Sequence, residues 1–126
     1  MSKRIMADMS ATLIHHGHIR ILKAASELGS VVVALTTDEE VQEHKGYLPE
    51  LDYSARREIV EAIRFVDEVV PSPWVITDNF LAEHNIDLLI HGGESGNTVS
   101  AEKQLTLPRT EGISSSELRE RIRRAS

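Results

Sequence analysis

Two histidines three residues apart mark the segment best suited to chemistry: His15 and His18, flanking Gly17 in Ile14-His15-His16-Gly17-His18-Ile19. They fall where a helix begins, and residues at i and i+3 share a helix face, so both imidazoles can aim at one spot. Gly17 removes a side chain and lets an anion approach the backbone. A helix N-terminus adds unpaired N–H groups and the positive end of the helix dipole. Such a set suits an anionic transition state on phosphorus. Taken alone, the pair is also compatible with metal ligation or chance. With no cysteine in the chain and no carboxylate at ligand spacing nearby, zinc is disfavoured.

A second constellation lies at Pro108-Arg109-Thr110-Glu111-Gly112-Ile113-Ser114-Ser115-Ser116-Glu117-Leu118. A strand ends, the chain turns at Gly112, and serines open a helix. Ser114 with Glu117 three residues on has the spacing of a capping box. That accounts for the helix start and leaves Arg109 unexplained. Arg109, the serine hydroxyls and exposed N–H groups together make a cradle for a di- or triphosphate.

These motifs must be positioned by alternating strands and helices. Ile5–Ala7 reads as a first strand, His16–Leu28 as a helix stopped by Gly29, and the β-branched run Val31–Leu35 as a central parallel strand. Asp38–Asp52, polar and holding Gly46 and Pro49, reads as a long loop around a short helical turn. A helix over Tyr53–Arg64 precedes a strand at Val66–Val70 ended by Pro71 and Pro73. Phe80–His84 closes a helix, Ile86–His91 is a strand, Gly92–Ala101 a loop, Gln104–Leu107 a strand and Ser114–Arg124 a helix. The order β-α-β-α-β-α-β-β-α calls for an α/β fold, a single-domain Rossmann-like parallel sheet over residues 1–126 with helices on both faces. Ligands then sit at the carboxyl ends of the strands, where both motifs fall.

Composition narrows the partners. The chain has 126 residues, one domain's worth, with 40% hydrophobic and 27% charged residues. Its net charge of −6 disfavours binding to nucleic acid, which needs a basic face. The arginines at 119, 121, 123 and 124 read as a solvated helix end favoured by the macrodipole. The apolar stretch within Met1–Asp8 is too short for a signal peptide, and no run reaches membrane-spanning length. The absence of cysteine fits a reducing cytoplasm.

His-x-Gly-His after a first strand, joined to Arg109-Thr110-Glu111-Gly112-Ile113-Ser114-Ser115-Ser116 before a final helix, resembles the cytidylyltransferase branch of the HxGH nucleotidyltransferase superfamily, most of all the glycerol-3-phosphate cytidylyltransferases. Thr37-Asp38-Glu39, Arg56-Arg57, Ile63–Val69 and His84-Asn85-Ile86-Asp87 extend the likeness along nearly the whole chain. The resemblance implies CTP as substrate with Mg²⁺, direct attack of the acceptor's phosphate on the α-phosphorus, and release of pyrophosphate. By the same resemblance His15 and His18 stabilise the α-phosphorus and the triphosphate, while Arg109, Ser114 and Ser115 hold the β- and γ-phosphates. Met9, Ser10, Gly17, Gly92, Thr110 and Ile113 lie about the nucleotide. Lys45 matches a cation bridging nucleotide and acceptor, and an ordinary loop lysine is the plain alternative. Arg64 and Trp74 match positions near the acceptor; an ion pair with Asp67 or Glu68, and simple packing, account for them equally. Metal ligands are not assigned. The likeness also implies a homodimer.

Two departures bear on the acceptor. The family's Gly-Thr-Phe-Asp before its Leu-x-His-x-Gly-His segment reads Met9-Ser10-Ala11-Thr12 here, with Asp8 earlier. Its Gly-Asp-Asp-Trp reads Gly92-Gly93-Glu94-Ser95, where Glu94 substitutes in part for a lost aspartate in contact with substrate. The triphosphate elements are intact, so the expectation is CMP transfer to a small phosphorylated alcohol. Alternatives are a small phosphonate such as 2-aminoethylphosphonate, since Met9-Ser10-Ala11 resembles cytidylyltransferases acting on such compounds, an ATP-using adenylyltransferase, or a nucleotide-binding module without turnover.

Overall fold

The computed structural model describes residues 3–92, 96–108 and 110–125. Five strands, β1 (Arg4–Met9), β2 (Ser30–Thr36), β3 (Glu68–Ser72), β4 (Leu88–Gly92) and β5 (Gln104–Leu107), form one sheet in the order β3-β2-β1-β4-β5. Every pairing is parallel. Central strands covered on both faces should be apolar without alternation. Accordingly Ile5, Met6 and Ala7 of β1 and the unbroken Val31–Leu35 of β2 are wholly buried.

Helices α1 (His16–Ser26) and α3 (Tyr53–Glu61) cover one face, where Leu22, Ala25 and Val60 pack on Ile5, Val31, Val33 and Ile90. Helix α4 (Asp78–Glu83) covers the other, with Leu81 against Met6, Val32, Ala34 and Leu89. Helix α5 (Ser115–Ala125) follows β5 and buries none of its residues. No helix among the described residues is long and apolar enough to cross a membrane.

Three sequence expectations are corrected. Asp38–Lys45 is a full helix, α2, and not a turn within a loop. Its N-cap Thr37 accepts from Glu40 N–H, three acids fill its first turn, and His44 and Lys45 close its last. Only Val41 is buried, so apolar periodicity is missing, and Gly46, read as a loop residue, is the left-handed C-cap with φ 80°. The third strand runs two residues later than expected, and Pro71 lies inside it. Strand β3 pairs only with β2, so an edge position tolerates the missing N–H.

One buried side chain ties this framework to the strand ends. Arg56 is 0% exposed. It donates from Nη1 to the carbonyls of Ser10 (2.7 Å) and Thr36 (2.9 Å), from Nε to Leu51 O (3.1 Å) and from Nη2 to Asp38 Oδ1 (2.6 Å). Arg56→Met would orphan three carbonyls and a carboxylate. It is expected to cost about 3 kcal/mol of unfolding free energy, read by urea denaturation. A loss under ~1 kcal/mol would show that water replaces these bonds.

Candidate functional site

The chain passes from β1 through β2 to β3 on one side of the sheet, then returns to β4 and β5 on the other. The topological switch point therefore lies between β1 and β4, where open parallel sheets bind ligands. A pocket of about 240 Å³ occupies this place. Asp8 and Ser10 come to it from the end of β1, Gly92 from the end of β4, His15, Gly17 and His18 from α1, and Ser114 to Ser116 from the start of α5. The turn from β1 into α1 includes Ala11 with φ 48°, a left-handed backbone unusual for a side-chain-bearing residue, at the rim of the site.

The histidine pair builds its own helix start. His15 is the N-cap of α1, and its Nδ1 accepts from Gly17 N–H at 3.0 Å. His18 Nδ1 reaches back to accept from His15 N–H at 3.1 Å. This is a capping box made of two imidazoles. A nitrogen that accepts a backbone N–H carries no proton, so each neutral ring must hold its proton on Nε2. Both rings line the pocket, their centroids 4.1 Å apart, and each offers one N–H donor to an anion. Burial holds His18 down to about 4, assisted by His15, and burial together with His16 lowers His15. Both act as neutral donors near pH 7.

Gly17 is required by this arrangement. A Cβ there would lie 2.7 Å from His15 Cε1 and 2.9 Å from Nδ1, and 3.5 Å from Thr110 Cβ. Gly17→Ala is expected to push the His15 ring off its cap and cost about 1 kcal/mol of folding free energy, read by urea denaturation. Unchanged stability would mean that His15 can turn aside without consequence.

Opposite the histidines, Ser114 Oγ accepts from Glu117 N–H at 3.0 Å, which is half of the expected capping box. Ser115 Oγ donates to Leu13 O (2.8 Å) and accepts from Leu13 N–H (3.3 Å), stitching the start of α5 to the β1–α1 turn. Thr110 and Ile113 complete this wall. Lys45, at the end of α2, also lines the pocket and helps to lower His18.

Other expected residues fall outside the lining. Met9 packs on the core at the end of β1, where its carbonyl accepts from Thr36 Oγ1. Trp74 lies next to the mouth: its ring stacks on His44 at 4.9 Å, with Lys45 Nζ 5.9 Å from its centroid, and its N–H donates to Glu40 Oε1. Arg64 is not brought to the pocket. It follows α3 and precedes β3, at the amino ends of the strands, with its guanidinium over Phe65. The alternative ion pair is not seen either: Glu68 pairs with Arg4, and Asp67 accepts from Val31 N–H. Arg109 and Glu94 lie outside the described residues.

Sequence reasoning misses five lining residues: Asp8, Ala11, Thr12, Ile21 and Ser116. Asp8 carried a signal, a carboxylate one residue before the end of an apolar strand. Its Oδ2 accepts from Asn97 Nδ2 at 2.9 Å, while its buried Oδ1 has no hydrogen-bond partner among the described residues. Burial raises its pKa, against smaller lowering effects from Asn97 and His91. It is the one carboxylate among the described lining residues. The other donors are neutral or cationic, so the described lining residues do not by themselves build a magnesium cage. Among the described residues the group with metal-ligand spacing is Glu40, Glu43 and His44 on α2.

A family profile described as cytidylyltransferase-like matches residues 10–121. The chain is 36% identical to the glycerol-3-phosphate cytidylyltransferase of Bacillus subtilis (strain 168), over 95% of this chain and 97% of that protein. It is 35% identical to the ethanolamine-phosphate cytidylyltransferase of Mus musculus and 36% identical to the choline-phosphate cytidylyltransferase A of Homo sapiens. It spans only 31% and 36% of those two longer proteins. A solved structure, the lipopolysaccharide core biosynthesis protein of Thermoplasma volcanium GSS1, superposes with a TM-score of 0.73 over 88% of this chain and 100% of that one; at 21% identity the likeness is one of fold.

Proposed function

The chain belongs to the cytidylyltransferase-like family, and on that premise we propose that it transfers CMP from CTP to a small phosphorylated alcohol of the glycerol-3-phosphate kind. An oxygen of the acceptor's phosphate bonds to the α-phosphorus as the bond from that phosphorus to the β-bridging oxygen breaks. Pyrophosphate leaves with the electron pair. The acceptor phosphate is already ionised, so no general base is needed, and catalysis rests on positioning and charge stabilisation. The observation that carries this reading is the double imidazole cap, which leaves two Nε2–H donors to a pocket that the serine-rich start of α5 also lines. In this reading the β- and γ-phosphates lie at Ser114 and Ser115, and Lys45 spans nucleotide and acceptor. Mg²⁺ arrives with the triphosphate. A cytoplasmic homodimer is part of the same reading, on resemblance alone.

Asp8 favours a second reading of the acceptor. A buried carboxylate oxygen without a partner, in a pocket otherwise suited to anions, is costly unless a cation meets it. An ammonium on the acceptor, as in ethanolamine phosphate or 2-aminoethylphosphonate, supplies one. Pyrophosphate release is the test, with CTP or ATP, across glycerol-3-phosphate, ethanolamine phosphate and 2-aminoethylphosphonate. Turnover with CTP is expected. ATP-only turnover would make the chain an adenylyltransferase, and CTP binding without turnover on any acceptor would make it a binding module.

A further inference from the structure

The arginines of α5 read from sequence as a solvated helix end, but Arg119 is not solvated. Its side chain is 12% exposed. The guanidinium forks onto Glu50, Nε to Oε2 at 2.7 Å and Nη2 to Oε1 at 2.8 Å, and Nη2 also donates to Thr12 Oγ1 at 3.1 Å. Its face lies over Tyr47, 4.5 Å from the ring centroid. Isolated exposed pairs contribute little, because holding two long side chains offsets the Coulomb gain. Here a planar fork is met at both nitrogens, a ring covers it, and a third partner, Thr12, is 1% exposed. The Glu50 carboxyl is held below its ordinary value, first by this hydrogen bond.

Each of the three segments joined carries or adjoins residues that line the pocket. Helix α5 carries Ser114 to Ser116 at its start. Tyr47 and Glu50 belong to the stretch that leaves Lys45 through the left-handed Gly46. Thr12 lies in the turn that delivers His15. We propose that Arg119 is a positioning residue: it straps the segment behind Lys45 to the helix that carries the serine cradle, so that lysine and serines face one ligand. The strap itself stands on geometry, and its catalytic consequence rests on the transferase reading above.

Amide hydrogen exchange tests the strap without reference to activity. In Arg119→Met, amides of Gly46, Tyr47, Leu48 and Glu50 are expected to exchange about tenfold faster while those of β1 and β2 are unchanged. Glu50→Gln, a milder change, should move the same amides the same way. Unchanged exchange in both variants would overturn the proposal. Kinetics then test the consequence. Arg119→Met should lower kcat/KM for CTP about tenfold in the wild-type background and less than about twofold in a Lys45→Gln background, because it acts through Lys45. Arg119→Lys, which cannot fork, should recover only part of the loss. An equal fold-loss in both backgrounds would reduce Arg119 to a general stabiliser. A wild-type chain inert with CTP whose exchange still responds would sink the transferase reading and leave the strap.

Discussion

Replacing His18 by alanine is expected to cut CTP-dependent pyrophosphate release by about 10²–10³-fold, the usual loss when one donor to a developing oxyanion is removed. Two further variants separate its duties. His18→Asn would place an amide oxygen where Nδ1 stands, keeping the bond from His15 N–H but losing the Nε2 donor. His18→Gln would offer an amide N–H near the position of Nε2 and give up the cap. The glutamine variant should therefore retain more activity than the asparagine variant, while the asparagine variant stays closer to wild type in thermal midpoint. The reverse order would mean that His18 serves only the helix. Its pKa of about 4, set mainly by burial, adds a pH signature. The folded value lies below the ordinary 6.5, so between the two the unfolded chain binds the extra proton. Stability contributed by neutral His18 is complete above about pH 6.5 and is lost as pH falls toward 4. Because the working proton is that of the neutral ring, kcat/KM for CTP should not fall between about pH 6.5 and 8.5. A decline through that window would require a cationic histidine and contradict the neutral Nε2–H tautomer.

Much of this site was legible because its parts follow local rules. The His-x-Gly-His spacing, the serine-rich helix start and the β-branched Val31–Leu35 run each depend on neighbours in sequence; the structure brings the first two to the switch point of one parallel sheet and buries the third beside β1 within it. What escaped depends on tertiary partners. Helix α2 has a single buried residue and is held by caps and end charges, so its polarity passed for a loop. Arg119 looked like any arginine at a helix end, because Glu50, Tyr47 and Thr12 are 69 or more residues away in sequence. Resemblance puts Arg64 near the acceptor, yet the direction of α3 takes it to the amino ends of the strands. Asp8 reads from sequence as part of a departure from the family pattern and not as a lining residue, since alternation along a strand does not say which face meets a pocket.

That aspartate carries the second large effect. Asp8→Asn keeps an acceptor for Asn97 Nδ2 and removes a buried charge. The folded pKa of Asp8 is raised above 3.8, chiefly by burial, so the folded chain holds its proton more tightly than the unfolded one. Stability is therefore lost as pH rises from the ordinary value through the folded one. Asp8→Asn should raise the thermal midpoint at pH 7 by roughly 3–5 °C, a gain that vanishes near pH 4 and below. Function should move the other way if an ammonium-bearing acceptor meets Asp8. With ethanolamine phosphate or 2-aminoethylphosphonate, kcat/KM for the acceptor should drop about 10–100-fold, the usual cost of unpairing a desolvated charge. With glycerol-3-phosphate it should hold or rise, and KM for CTP should stay unchanged in each case. A stability gain coupled to acceptor-selective loss is what a residue placed for substrate and not for folding produces. An equal loss on every acceptor would assign Asp8 to the nucleotide side of the pocket. No loss on any acceptor, with the midpoint raised, would leave glycerol-3-phosphate as the better reading of the substrate.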